Sequence, residues 1–304
     1  MADAAAADRG QALGASAQDA RRGTGVGYGR ATWRQLRRNR GAVIGLVICV
    51  VFLLVALVAP LIAPYDPLGQ ELSRALQPPS AAHWLGTDDL GRDMLSRILV
   101  GAGVSLFMSL ATVAIALVIG AAIGVVAGFL RGWWGDSLMR LIDVLQAIPG
   151  ILLAIVVIAI LGVGLENVIV AISIASIPVF ARLAFGSTLA VRENEYVQAA
   201  RSLGASSRSI LVRHILPNVA APLIVMTTLR ISTVILTASG LSFLGLGAQP
   251  PTPEWGAMLS AGRSYFTSNP HVATFPGIAI MLVVLGFNML GDGLRDALDP
   301  RLKQ

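Results

Sequence analysis

Long stretches of the chain carry no charge at all. Gly41–Tyr65, Ile98–Leu130, Val144–Leu165, Ile231–Pro253 and Ser264–Gly291 contain no Asp, Glu, Lys or Arg, and the runs Asn167–Ala181 and His214–Leu229 become spans if one Arg is admitted to each. A helix needs about 20 apolar residues to cross a hydrocarbon core roughly 30 Å thick. The runs are continuously apolar where barrel strands would alternate, so they predict helices. The pattern places these near 41–63, 99–129, 138–161, 166–189, 219–246 and 272–290, which makes an all-α membrane protein with six transmembrane helices.

Composition agrees. Of 304 residues only 13% are charged and 55% are apolar, too little polar surface to cover a water-soluble core of this size. With the N-terminus in the cytoplasm, the arginines fall overwhelmingly on inner segments, from Arg9 through Arg40, at Arg131 and Arg140, from Arg182 to Arg213 and at Arg295 and Arg301, whereas the outer segments hold Arg74, Arg92, Arg97 and Arg263. This is the positive-inside pattern, and an even number of spans returns the C-terminus to the cytoplasm. The net charge of +6 is therefore topological. Binding nucleic acid would need a folded basic face, and these arginines are scattered over loops.

The layout that follows is a basic cytoplasmic tail at 1–40, a first helix at 41–63, an outer loop at 64–98, a membrane core at 99–291 and a cytoplasmic tail at 292–304. The first 29 residues, rich in Ala, Gly, Asp and Arg without an apolar period, read as disordered. The first apolar run begins too late and is too long for a cleaved signal peptide. Cys49 is the sole cysteine, which excludes an intrachain disulfide and a multi-cysteine metal site, and His83, His214 and His271 lie on different segments, so no metal site is expected. The only lysine is Lys303, so no phosphate-binding G-x-x-x-x-G-K-[ST] loop exists and any ATP must be used by a partner. Neither a G-x-S-x-G elbow nor an H-E-x-x-H pair is present, and no catalytic residue is proposed.

The longest inner loop, 191–217, reads as two short helices. Tyr196, Ala199, Ala200 and Leu203 fall at i, i+3, i+4 and i+7, Gly204 supplies a stop, Ser206 or Ser207 a cap, and Ile210, Leu211 and Ile215 a second apolar side before Pro217. Periodicity alone allows an amphipathic segment on lipid headgroups. The spacing resembles the EAA loop of bacterial ABC importer permeases: Ala199, Ala200, Gly204, Leu216 and Pro217 match, while Gln198 replaces the usual Glu and His214 the usual Ile. GTDDLGRDMLSRILVGAGVSL (86–106), LSFLGLGAQPPTPEWGAML (241–259) and GDGLRDALDP (291–300) resemble the second permease subunit of peptide importers; within that family the chain resembles the dipeptide and glutathione types, and GWWGDSLMRLIDVL and IPGILLAI resemble the glutathione type most.

The resemblance implies a type I ABC importer permease fold in the bacterial inner membrane, with a cytoplasmic coupling helix in the loop. It implies a homologous second permease, two ATPase subunits that hold the ATP and Mg, an extracytoplasmic solute-binding protein, and no cofactor in this chain itself. The competing class is an ion-coupled secondary transporter, which would need acids deep in the bundle.

Other residues carry two readings each. Asp88, Asp89, Arg92 and Asp93 could bind a cation, or Thr87 or Asp88 caps the second helix with Asp93 in its first turn. Gly120, Gly124 and Gly128 form a small-residue face for an unnamed helix. Pro149 with Gly150, Pro178 and Pro222 favour kinks that serve either movement or nothing beyond shape. Arg140 and Asp143 are spaced to pair, and Arg182 can reach the inner surface. Arg230 lies about 15 Å deep if its helix begins near Ala220, where it could face the pathway and meet a peptide carboxylate, or at the inner interface if the helix begins at Ile231.

Overall fold

Continuous apolar sequence becomes continuous helix in the computed structural model of the chain, which describes residues 33–130 and 132–298. α1 (Arg40–Ile62) opens on Asn39, whose side-chain oxygen accepts a hydrogen bond from Ala42 N at 3.2 Å. Residues 33–38 are already helical, so the expected tail at 1–40 is ordered over its last turns, and residues 1–32 lie outside the described set. The cause is Leu36, an apolar residue among arginines that is buried with Ala42 and Ala297.

α2 (Met94–Leu130) starts a turn before the charge-free run because Asp93 accepts from Ser96 N and Oγ, both at 2.8 Å. Asp93 is thus the cap, in place of Thr87 or Asp88. Asp88 instead binds the Arg92 Nε at 2.6 Å and stands 3.3 Å from the Arg97 Nε, all three side chains being buried. Arg97 also donates to Pro67 O at 2.8 Å, His83 Nδ1 meets Asp93 at 2.9 Å, and Tyr65 lies against the His83 ring. The expected outer loop is therefore a folded cap clamped by ion pairs.

The predicted third span at 138–161 is not one helix. α3 (Trp133–Ala147) and α4 (Gly150–Leu161) meet at 89°. Pro149 has no N–H to donate and forces the residue before it out of the helical region, and Ile148 is accordingly extended at φ −89°, ψ 128°. Twelve residues make about 18 Å of helix, too short for α4 to cross alone. Asp143 on α3 pairs with Arg182 at 2.6 Å and not with Arg140.

α5 (Leu165–Arg192) runs through Pro178 without breaking. Its partner is the glycine face of α2: a Cβ at Gly120 would stand 2.6 Å from Ile177 O, one at Gly128 would be 2.9 Å from Thr188 Cβ, and one at Gly124 would collide with Ala181 O. α6 (Glu195–Ser202), α7 (Ser207–Ile210) and a π-turn at Leu211–Ile215 lead into α8 (Leu216–Phe243). The peptide after α8 turns back as α9 (Trp255–Gly262), whose head is the fully buried Glu254, accepting from Gly256 N and Ala257 N at 2.9 Å and from Ser105 Oγ at 3.2 Å. Trp255 Nε1 donates to Ile98 O at 3.0 Å, which ties this hairpin to the start of α2.

α10 (His271–Leu298) extends the last expected span by two turns and carries Asp292, Arg295 and Asp296 into what was expected to be tail. It does so because Leu294 and Ala297 pack on Leu36 and Ala42, while residues 299–304 fall outside the described set. α10 also meets α1 closely, at Gly45 and Gly286. α2 and α5 form the centre, α8 lies against both, α10 packs on α8, α9 and α1, α1 also flanks α2, and α3–α4 lie on α5. The apolar side chains that α1 leaves exposed, among them Val47, Leu54, Leu57 and Leu61, present a face to lipid.

Gly124→Leu is expected to separate α2 from α5 and to remove the folded protein from detergent extracts, whereas Gly103→Leu, at a position where an added Cβ would meet only Ala56 O, 3.4 Å away, should be extracted at wild-type yield; size-exclusion profiles compare them. Asp88→Ala takes the near carboxylate from two buried guanidinium groups, leaving Arg97 with none and Arg92 with only Asp89 at 3.7 Å, and is expected to cost about 3–5 kcal/mol, read as a lowered midpoint of thermal unfolding.

Candidate functional site

The loop between α5 and α8 is held at both ends. Arg192, at the end of α5, donates to Phe129 O at 2.6 Å on α2 and lies over the Phe129 ring. α6 then presses Val197 into a pocket made by Val125, Ala184, Ile210, Ile215 and Val219. The stripe anticipated from spacing is on the other side. Tyr196 and Leu203 are exposed, the latter by 89%, and Ala199 is exposed with them. A helix in water normally hides its apolar stripe, and this one hides a single valine and displays the stripe instead. Val197 was missed because it lies off the helical period, and its pocket is assembled from residues on α2, α5 and α8 that no local pattern connects.

Gly204 ends α6 at φ +81°, a left-handed conformation in which a side chain is strained, and Ala205 N closes the turn on Ala200 O at 3.0 Å. Ser206, the first of the two serines considered, caps α7 by accepting from Ser209 N at 3.3 Å. Ile210 and Ile215 are buried as the spacing predicts, whereas Leu216 is exposed. Pro217 does not separate two elements: α7, the π-turn and α8 run on as one helical rod, and the missing N–H of Pro217 falls just after the π-turn, where Leu216 N bonds Leu211 O and the regular ladder is already shifted. Gln198 projects outward and donates through Nε2 to Glu193 O at 3.1 Å, and the His214 ring lies 5.9 Å from that of Tyr196. Gln198, Ala199, Ala200, Gly204 and Leu216 thus share one exposed end of the bundle, with no apolar partner for the Tyr196–Leu203 face among the described residues.

Arg230 stands apart from this loop. α8 is unbroken from Leu216, so Arg230 sits near its midpoint and the shorter helix beginning at Ile231 does not form. Its Nη2 donates to Ser176 Oγ on α5 at 3.3 Å, its Nε is buried without a partner, and no carboxylate of the described residues pairs with it. Arg182, by contrast, is balanced by Asp143 and also donates to Gln146.

Comparison with known proteins places this geometry. The family described as binding-protein-dependent transport system inner membrane component matches residues 120–304, and the N-terminal TM domain of oligopeptide transport permease C matches residues 27–79. The glutathione transport system permease protein GsiD of Pectobacterium atrosepticum is 50% identical over 275 residues, covering 90% of this chain and 91% of that protein. GsiD of Escherichia coli is 51% identical over 272 residues, covering 89% and 90%. Among solved structures, the MetNI methionine ABC transporter in an inward-facing conformation superposes with a TM-score of 0.56 at 20% identity, over 68% of this chain and 98% of that one, a likeness of fold. These matches set aside the ion-coupled alternative. The exposed loop, the multi-pass helical bundle and the matched sequence agree, and the chain belongs to the inner-membrane permease components of binding-protein-dependent ABC importers.

Proposed function

We propose that this permease forms half of a pathway for peptides, glutathione among them, and that α6 is the surface on which an ATPase subunit docks. The displayed Tyr196–Ala199–Leu203 face carries the reading: it is apolar, it stands clear of the bundle, and Val197 fixes it from behind. The relatives that are glutathione permeases over nine-tenths of their length support the solute class. A homologous second permease supplies the other half of the pathway, two ATPases hold the ATP and Mg, and a solute-binding protein delivers from outside. Both termini and the 191–217 loop face the cytoplasm, in keeping with the arginines gathered there.

Force applied to α6 has two routes into the membrane. One is the rod from Ser207 to Phe243, and the other is Val197, wedged between α2, α5 and α8. Closure of the ATPases would therefore move α5 and α8 together and shift the population between inward- and outward-open forms. Gln198, where glutamate is usual, makes this contact with one charge fewer.

Leu203→Asp removes no packing within this chain, so the permease should still reach the membrane while co-purified ATPase and peptide uptake both fall at least tenfold. Gly204→Asp, which adds strain and charge at the adjoining turn, should abolish uptake and coupled ATP hydrolysis at normal membrane levels. Normal transport by both variants would dismiss α6 as the coupling element.

A further inference from the structure

We propose that Arg230 is a carboxylate receptor within the pathway, giving the transporter a preference for peptides with a free C-terminal carboxylate over neutral-ended ones. The inference rests on the transport function proposed above. A guanidinium stays charged, and in the middle of a membrane helix it needs an anion or a polar cavity. The described residues supply it with no anion. Asp143 is engaged with Arg182, Glu254 is satisfied at the head of α9, and Glu166 lies in the first turn of α5. Asp292 follows Gly291, which packs on Leu229, so it is level with Arg230, but its side chain is exposed and makes no ion pair with the guanidinium, and Asp296 is a further turn along. Ser176 takes one of its five donors, and the buried Nε has nothing to bond.

The surroundings show from which side an anion can arrive. Thr233, Thr237 and Gly240 follow Arg230 at i+3, i+7 and i+10 and share its face of α8. Thr233 is exposed, and a Cβ placed on Gly240 would meet no atom within 4 Å. Both threonine hydroxyls turn back onto their own helix, on Leu229 O at 3.4 Å and Thr233 O at 2.9 Å. The face is small and uncharged from the end of α8 down to the guanidinium, which is the first strong donor along it. Arginine binds carboxylates through two parallel hydrogen bonds, so Ser176 would orient the fork and the peptide terminus would fill it. Such a site reads a group common to unmodified peptides and ignores their side chains.

A carboxylate could also come from the neighbouring permease, and the experiment separates the two sources. The complete transporter is reconstituted in proteoliposomes as wild type, Arg230→Gln, Arg230→Met and Arg230→Lys, and uptake of a tripeptide is compared with that of its C-terminal amide. Each is presented on binding protein at saturating occupancy, measured separately. Two neutral variants are used so that poor assembly of one does not decide the result. The wild type is expected to favour the acid about tenfold, both neutral variants to bring the ratio near one with ATPase stimulation intact, and Lys to keep part of the preference. An acid-to-amide ratio that is one in the wild type, or unchanged in the neutral variants, overturns the proposal. An unchanged ratio with loss of the second permease on purification also overturns it, assigning the carboxylate to the neighbour. A wild-type complex that moves neither peptide overturns the transport function itself.

Discussion

In lipid, helices gain little by burying apolar side chains against one another, so their association depends on how closely their backbones can approach. Gly120, Gly124 and Gly128 on α2 meet α5 with no room for a methyl group, and Gly45 and Gly286 do the same between α1 and α10. From the first contact the rest follows: α2 and α5 become a rigid pair, α8 lies against both, and the pocket for Val197 exists only where those three helices converge. Packing in the membrane and seating of the 191–217 loop thus share one origin.

Charge is handled in the opposite way at the two levels of the molecule. Outside the apolar runs, Asp88 is ion-paired with Arg92 and Arg97 and His83 with Asp93, all of them buried, and although His83 Nε2 and Arg97 Nε make no hydrogen bond, each charge faces an opposite one, which makes a firm cap of what composition suggests is a loop. Glu254 is wholly buried yet accepts three hydrogen bonds, so its burial is supported. Arg230 is the exception within the helical bundle, a cation with a single serine for company. Arg92 and Arg97 each have a carboxylate beside them, whereas Arg230 has none among the described residues, which marks it as a place where something else binds.

Much of the 191–217 loop was legible. The positions of Gly204, Ser206, Ile210 and Ile215 follow from rules that act within a few residues, because left-handed turns, caps and helical periods are local. What could not be read was which side of α6 is hidden. Tyr196, Ala199, Ala200 and Leu203 form the better stripe, and the lone Val197 is the residue that packs, since the pocket is formed by distant parts of the chain. Asp143 likewise had a plausible partner three residues away and took Arg182 on another helix.

The sequence alone determined that this chain carries enough apolar runs for about six membrane-crossing helices, that its arginines are concentrated on alternate segments between them, and that it holds no P-loop lysine, because length of apolar run, charge distribution and residue identity are properties of the chain itself. The tertiary structure decided the 89° break at Pro149, the length of α10, the folded cap over α2, the display of the α6 stripe and the isolation of Arg230. Each of those depends on which helix lies beside which, and a one-dimensional pattern holds the strength of a helix but not the identity of its neighbour.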